Sequence, residues 1–170
     1  NVLQKAVQNK DTQQTKAASG ELLEKFGNTN YASLGALTAA KALFDSGDAR
    51  TAKLQLLWVV EHGKDELRDL ARLRLAAVLL DEKDFDQALK QLDGSVSPAF
   101  EARFLDNRGD VFYAQGKKAE ALSAYQAAQA KLADAEKSGK GVNSQGWQGQ
   151  SNAVYRELLQ QKLDALGGAR

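Results

Sequence analysis

Residues 105–128 read LDNRGDVFYAQGKKAEALSAYQAA, and their spacing decides the fold. It predicts two helices folded against each other, with Gly116 in the turn between them. Gly109 and Ala121 are small where the helices should cross, so the backbones can approach closely, while Phe112 and Tyr125 fill the space on either side. A hairpin of this kind cannot bury its apolar face alone. The reading therefore turns on whether the pattern recurs.

It does. Aligned on the small residue of the second helix, Ala52, Ala88 and Ala121 fall in register, 36 and 33 residues apart. The small residue of the first helix follows as Ala40, Ala76 and Gly109, and the large one three further on as Leu43, Leu79 and Phe112. Leu56, Leu92 and Tyr125 fill the second helices, and turns fall at Ser46-Gly47-Asp48, Asp81 to Asp84 and Gln115-Gly116. A period near 34 resembles the tetratricopeptide (TPR) repeat. The expected fold class is all-α: a TPR-like helical-hairpin solenoid of about three repeats with extra N- and C-terminal helices, as one domain over residues 1–170.

The boundaries follow from local signals. Residues 1–27 read as one long amphipathic helix, weak around Asn9 to Thr15, ended by Gly27-Asn28-Thr29-Asn30. The repeats occupy 31–62, 66–94 and 98–133. In the first, Leu54 to Val60 is apolar almost all round, which predicts cover on both sides and a core role for Trp58. Asp84 and Gln87 have capping-box spacing, Gly94 stops the helix they open, and Ser97-Pro98 begins the third repeat with the only proline at a first helical position. Residues 136–150 are rich in Gly, Ser and Gln and read as a flexible loop tethered by Trp147. Residues 151–166 read as a capping helix.

Charged residues make up 26% and hydrophobic residues 43%, the balance of a folded globular chain. A net charge of +1 with scattered basic residues predicts no attraction to nucleic acid. The absence of cysteine excludes disulfides, thiolate catalysis and cysteine metal sites. The most apolar helix, Asp69 to Leu80, is interrupted by Arg72 and Arg74, so no membrane span is expected within the chain. A start at Asn1 without any methionine leads to the expectation of a piece of a longer or processed protein.

His62 is the only histidine, and at the end of a helix its cation would complement the dipole. No second histidine, nucleophile elbow or phosphate loop accompanies it, and Asp81, Glu82, Asp84 and Asp86 lack the glycine and distal glutamate of a calcium loop. The chain is thus expected to be non-enzymatic, with no cofactor and no metal. What remains is the concave groove lined by the first helices. Its expected partner-binding residues are Leu34, Leu37, Lys41 and Phe44, then Leu70, Leu73, Ala77 and Leu80, then Arg103, Asp106, Asp110 and Tyr113. Two thirds of this groove is apolar, which disfavours capture of acidic peptides and calls for a cover. The cover is either the chain's own N-terminal helix or a segment of a partner laid into the groove.

Three runs carry a closer likeness: NTNYASLGALTAAKALFDSGDARTAKLQL at 28–56, LARLRLAAVLLDEKDFDQALKQLDG at 70–94 and LDNRGDVFYAQGKKAEALSAYQ at 105–126. Together with LLQQKLDAL at 158–166, they resemble the YfgM family of ancillary SecYEG translocon subunits. Residues 1–27 match that family only in length and helical character. The resemblance implies an N-terminal transmembrane anchor absent from this chain, and a TPR-like domain on the periplasmic side of the inner membrane. It also implies as partners the Sec translocon, a membrane-anchored periplasmic chaperone of the prolyl-isomerase type, and exported clients. No catalytic residue comes with it, and the Gly-rich stretch 138–150 departs from the family. Two alternatives stand beside this reading: a generic TPR adaptor, and a structural homo-oligomerisation domain whose groove is buried by a second copy.

Overall fold

The computed structural model describes residues 2–137 and 152–167. Of the expected loop at 136–150, residues 138–150, with Trp147, lie outside the described residues. Among those described, every regular element is helical, as the hairpin pattern requires. The α-helices are α1 (Val2–Gln8), α2 (Thr12–Phe26), α3 (Asn30–Asp45), α4 (Ala49–His62), α5 (Asp65–Asp81), α6 (Phe85–Gln91), α7 (Glu101–Ala114), α8 (Lys118–Lys137) and α9 (Asn152–Ala165). Pro98 does sit at a first helical position, but of a short 3-10 turn, Pro98–Phe100, that leads into α7. Helix α8 runs on to Lys137 and takes in the first two residues assigned to the loop. The chain divides into two compact units, residues 1–78 and 79–170.

One turn geometry closes the hairpins. A residue in the left-handed region lets the next amide reach back to a carbonyl five residues earlier. Gly47 (φ 86°) serves Asp48 N–H to Leu43 O, 2.9 Å, and Gly116 (φ 76°) serves Lys117 N–H to Phe112 O, 2.9 Å. The same turn occurs without glycine at Lys83 (φ 61°), where Asp84 N–H reaches Leu79 O at 2.8 Å. Asp48 and Asp84 then accept the amides of Thr51 (3.1 Å) and Gln87 (3.3 Å), so each aspartate ends one turn and caps the next helix.

The N-terminal segment is a fourth hairpin, not one long helix. Lys10 (φ 56°) sets Asp11 N–H on Ala6 O at 2.9 Å, and Asp11 accepts the amide of Gln14 at 2.9 Å. Counting from these turns, Leu3 stands where the later repeats have Ala40, Ala76 and Gly109, while Thr15 and Ser19 stand where they have alanine and a large filler. All three are buried. The sizes are exchanged: the first helix supplies the bulk and the second supplies the space. This swap hid the repeat from a search for small residues at fixed offsets. Its filler position is tied across to α4 by Ser19 Oγ–H to Gln55 Oε1, 2.7 Å.

In the first unit α1 and α2 pack on α3, and Leu3 and Leu22 join Ala39, Leu43 and Ala52 in one apolar cluster. They meet the flank of α3 and leave Leu34 and Phe44 uncovered, so the N-terminal segment extends the row of hairpins instead of filling the expected groove. Lys16 of α2 pairs with Asp48, the cap of α4. Arg74 of α5 donates to the carbonyl of Leu37 at 3.2 Å. The expected double cover of α4 is not met at Leu54, which is exposed, while Leu56 and Val59 are buried. Trp58 is half-buried and stacks on His62, centroids 4.6 Å apart.

In the second unit α7 packs closely on α8 and α8 on α9. Gly109 and Ala121 are both buried. A Cβ on Gly109 would lie 2.5 Å from Cδ1 of Tyr125, which explains glycine at this crossing. Alanine in place of a helical glycine ordinarily gains about 0.5–1 kcal/mol. At Gly20, where a Cβ would meet nothing within 4 Å, that gain is expected in full. At Gly109 the clash with a buried ring should reverse it, with a loss of about 1–3 kcal/mol. Urea denaturation of Gly20→Ala and Gly109→Ala checks both signs; a stabilised Gly109→Ala would refute the crossing.

Candidate partner-binding site

The twelve residues expected to line the groove fall into different environments. On α3, Leu34 and Phe44 are 50% and 42% exposed, and Lys41 between them is exposed and paired with Asp45 at 2.8 Å. Leu37, one turn from Leu34 on the same side of the helix, is buried. Tyr31, one turn before Leu34, is also exposed and meets Phe26 edge-on, centroids 6.4 Å apart. The first unit therefore presents an apolar stripe, Tyr31–Leu34–Phe44, along one side of α3. Thr38 within the stripe turns its hydroxyl to the Leu34 carbonyl (2.8 Å) and adds little polarity.

On α5, Leu70 and Leu73 are buried, Leu80 is half-buried and Ala77 is exposed. Asp69 is buried beside Arg72, 3.2 Å away. Most of this helix is therefore interior. Glutamate at Leu37 or Leu73 would break the core and would not report on binding.

On α7 the structure corrects the expectation most sharply. Only Tyr113 is open, at 53%. Arg103 lies over the ring of Tyr155, 4.4 Å from its centroid. Lys162 of α9 bridges Asp106 (2.7 Å) and Asp110 (2.7 and 2.9 Å), and Tyr125 donates its hydroxyl to Asp110 at 2.8 Å. Around these charges Tyr155, Leu159 and Leu163 of α9 are buried with Tyr125, Ala128 and Leu132 of α8. The third repeat's groove positions are thus occupied by the chain's own last helix. Lys162 and Tyr155 escaped the sequence reading. A signal was present, however: Lys162 sits between Leu159 and Leu163 on the inward face, where a cation requires a buried acid.

Burial raises the Asp106 carboxyl above the usual range, since Lys162 offsets that cost only partly and Asp110 adds to it. Burial also pulls on Lys162 in the neutral direction, but the two carboxylates outweigh it and its ammonium is held above the ordinary lysine value. Tyr125 and Tyr155 are both pushed up, first by burial and then by Asp110 and Asp106 respectively. In the first unit Asp48 is pulled down to about 2, by Lys16 first and then by the amide and hydroxyl of Thr51. His62 donates Nδ1–H to the carbonyl of Trp58 at 2.9 Å, since a carbonyl can only accept, so it closes the end of α4. Asp84 serves as a helix cap, a structural role for the acidic run it belongs to. Among the described residues no helix is long and apolar enough to cross a membrane.

These features are those of a helical-repeat domain, and comparison with known proteins agrees. A model of the tetratricopeptide repeat-like domain matches residues 1–168. An ancillary SecYEG translocon subunit of Neisseria gonorrhoeae is 33% identical over 167 residues, 98% of this chain and 72% of that protein. The chain belongs to the YfgM family of ancillary SecYEG translocon subunits. Its relatives of the same name in Escherichia coli K12 and Haemophilus influenzae are 34% and 30% identical over 108 and 120 residues. Those two matches span 52% and 59% of the relatives' own lengths. The TPR-like match begins at residue 1, so it includes the α1–α2 hairpin and extends the likeness beyond residues 28–166.

The ionisable groups of this YfgM-family domain set two pH limits. Asp48 is depressed in the folded state, so its contribution is complete above the ordinary carboxylate value of about 4 and is lost as pH falls toward its folded value. The melting-temperature difference between wild type and Asp48→Asn should narrow over that range. Lys162, Tyr125 and Tyr155 are raised, so their contribution is complete below about 10 and drains away as pH climbs further. A scan of melting temperature above that pH should fall more steeply for wild type than for Lys162→Met, and equal slopes would contradict the assignment.

Proposed function

We propose that this chain is a non-catalytic protein–protein interaction module of the bacterial inner-membrane secretion machinery. It works on the periplasmic side, where it docks a membrane-anchored chaperone, the Sec translocon, or both, in support of exported proteins. Membership of a family named for the SecYEG translocon supports the assignment to secretion. The observation that carries the interaction role is the apolar stripe of α3. Leu34 and Phe44 are about half exposed, with Tyr31 beside them, on a helix that buries Leu37, Leu43 and most of its alanines. Burying one such side chain against a partner contributes roughly 1.5–3 kcal/mol, enough to serve as an anchor. Of the twelve expected groove residues, Leu34, Lys41 and Phe44 are the group that one exposed helical side brings together.

The charged groups that the structure brings together serve the fold: Asp11, Asp48 and Asp84 cap helices, and Asp45, Asp69, Asp106 and Asp110 pair with cations. Crosslinking of the membrane-bound full-length protein in cells, read by mass spectrometry, tests the reading. Translocon and chaperone crosslinks should appear near α3 and fall by about tenfold or more when Leu34→Glu and Phe44→Glu are combined, with the melting temperature unchanged because both positions face solvent. Undiminished crosslinks would remove α3 from the interface. Crosslinks only between copies of the chain would replace this reading by self-association.

A further inference from the structure

The C-terminal helix is seated in a way that a plain capping helix does not need. Capping a hairpin requires an apolar inner face and a polar outer one. Helix α9 supplies the apolar face with Tyr155, Leu159 and Leu163, but it also drives Lys162 onto two acids of α7. Asp106 is buried, and Asp110 beside it holds both the Lys162 ammonium and the Tyr125 hydroxyl. Taking such charges out of water cancels much of their attraction, so the arrangement adds specificity more than strength. An apolar pair at these places would hold a cap as well. Asp106 and Asp110 face inward in line with Arg103, which lies over the Tyr155 ring, at the repeat offsets where the sequence places ligand contacts.

We propose that the α7–α8 face is a binding seat for a lysine-bearing amphipathic helix of a partner protein, and that α9 occupies this seat as an intramolecular stand-in. The inference deepens the interaction role proposed above and rests on it. The ligand chemistry is set by the occupant in place. It has an aromatic residue, a leucine four residues on, a lysine three further and a leucine directly after, which are Tyr155, Leu159, Lys162 and Leu163 here. Those positions share one helical face. With α9 withdrawn, Asp106 and Asp110 would be left side by side, so an occupant without a cation is rejected.

Native-state hydrogen exchange on the full chain tests whether α9 detaches by itself. Its amides should exchange at least about tenfold faster than those of α7 and α8; equal protection would make α9 core and overturn the proposal. Binding is tested with a labelled peptide of residues 152–167, NAVYRELLQQKLDALG. It should bind the full chain carrying Lys162→Glu about tenfold or more tighter than wild type, whose seat is filled, and should lose that binding when the peptide itself carries Lys162→Glu. No binding to a folded Lys162→Glu chain overturns the proposal, and if that variant does not fold the exchange result decides. Leu34 and Phe44 play no part in these measurements, so failure here leaves the α3 reading standing, and loss of the α3 crosslinks leaves these measurements intact.

Discussion

Everything in this protein follows from how closely two helices of one hairpin can approach. The turn geometry fixes the entry of the second helix, because a left-handed residue folds the chain back and the next amide is satisfied on a carbonyl five residues earlier. What then sets the separation is the sum of side-chain sizes at the crossing. Gly109 against Tyr125 and Leu3 opposite the Ser19 position are two solutions to one volume constraint. Interiors are packed as densely as organic crystals, so neither partner of such a pair can change alone.

The same constraint explains which surfaces are available. A hairpin buries one flank against the next, and what faces away from both neighbours is left for function. On α3 that remainder is Leu34 and Phe44. On α7 it is taken by α9, where charge adds to shape: two carboxylates and the ring of Tyr125 converge on one lysine. The two surfaces differ in kind. The first is an open apolar stripe that suits contact without geometric demand. The second pairs both acids with Lys162 inside an apolar rim, so a group without a cation in that place would leave them unpaired.

Much of the fold was legible in the chain. Ala40, Ala52, Ala88, Gly109 and Ala121 are all buried, and the Asp84 cap, the Thr29 cap and the glycine turns fall where their residue types require. The break at Asn9 to Asp11 was not legible. Lys10 takes a left-handed conformation without being glycine, and Leu3 and Ser19 reverse the small–large order that marks the other repeats. Of the candidate site, Leu34, Lys41 and Phe44 of α3 are exposed, whereas Leu37, Leu70, Leu73 and Asp106 are interior. Repeat offsets name the side of a helix, but they do not show what else is laid against it.

By itself the sequence determined the helical class, the hairpin period and the turn chemistry. These are local properties, set by residues within one or two turns of each other. Tertiary structure alone decided that the N-terminal segment folds as a further hairpin, that α3 keeps an open apolar stripe and that α9 fills the charged face of α7. Each of those depends on residues that meet across large sequence separations, such as Ser19 with Gln55 or Asp106 with Lys162. Whether a side chain is core, surface or ligand contact is a property of its neighbours in space, and the linear pattern carries no distance between them.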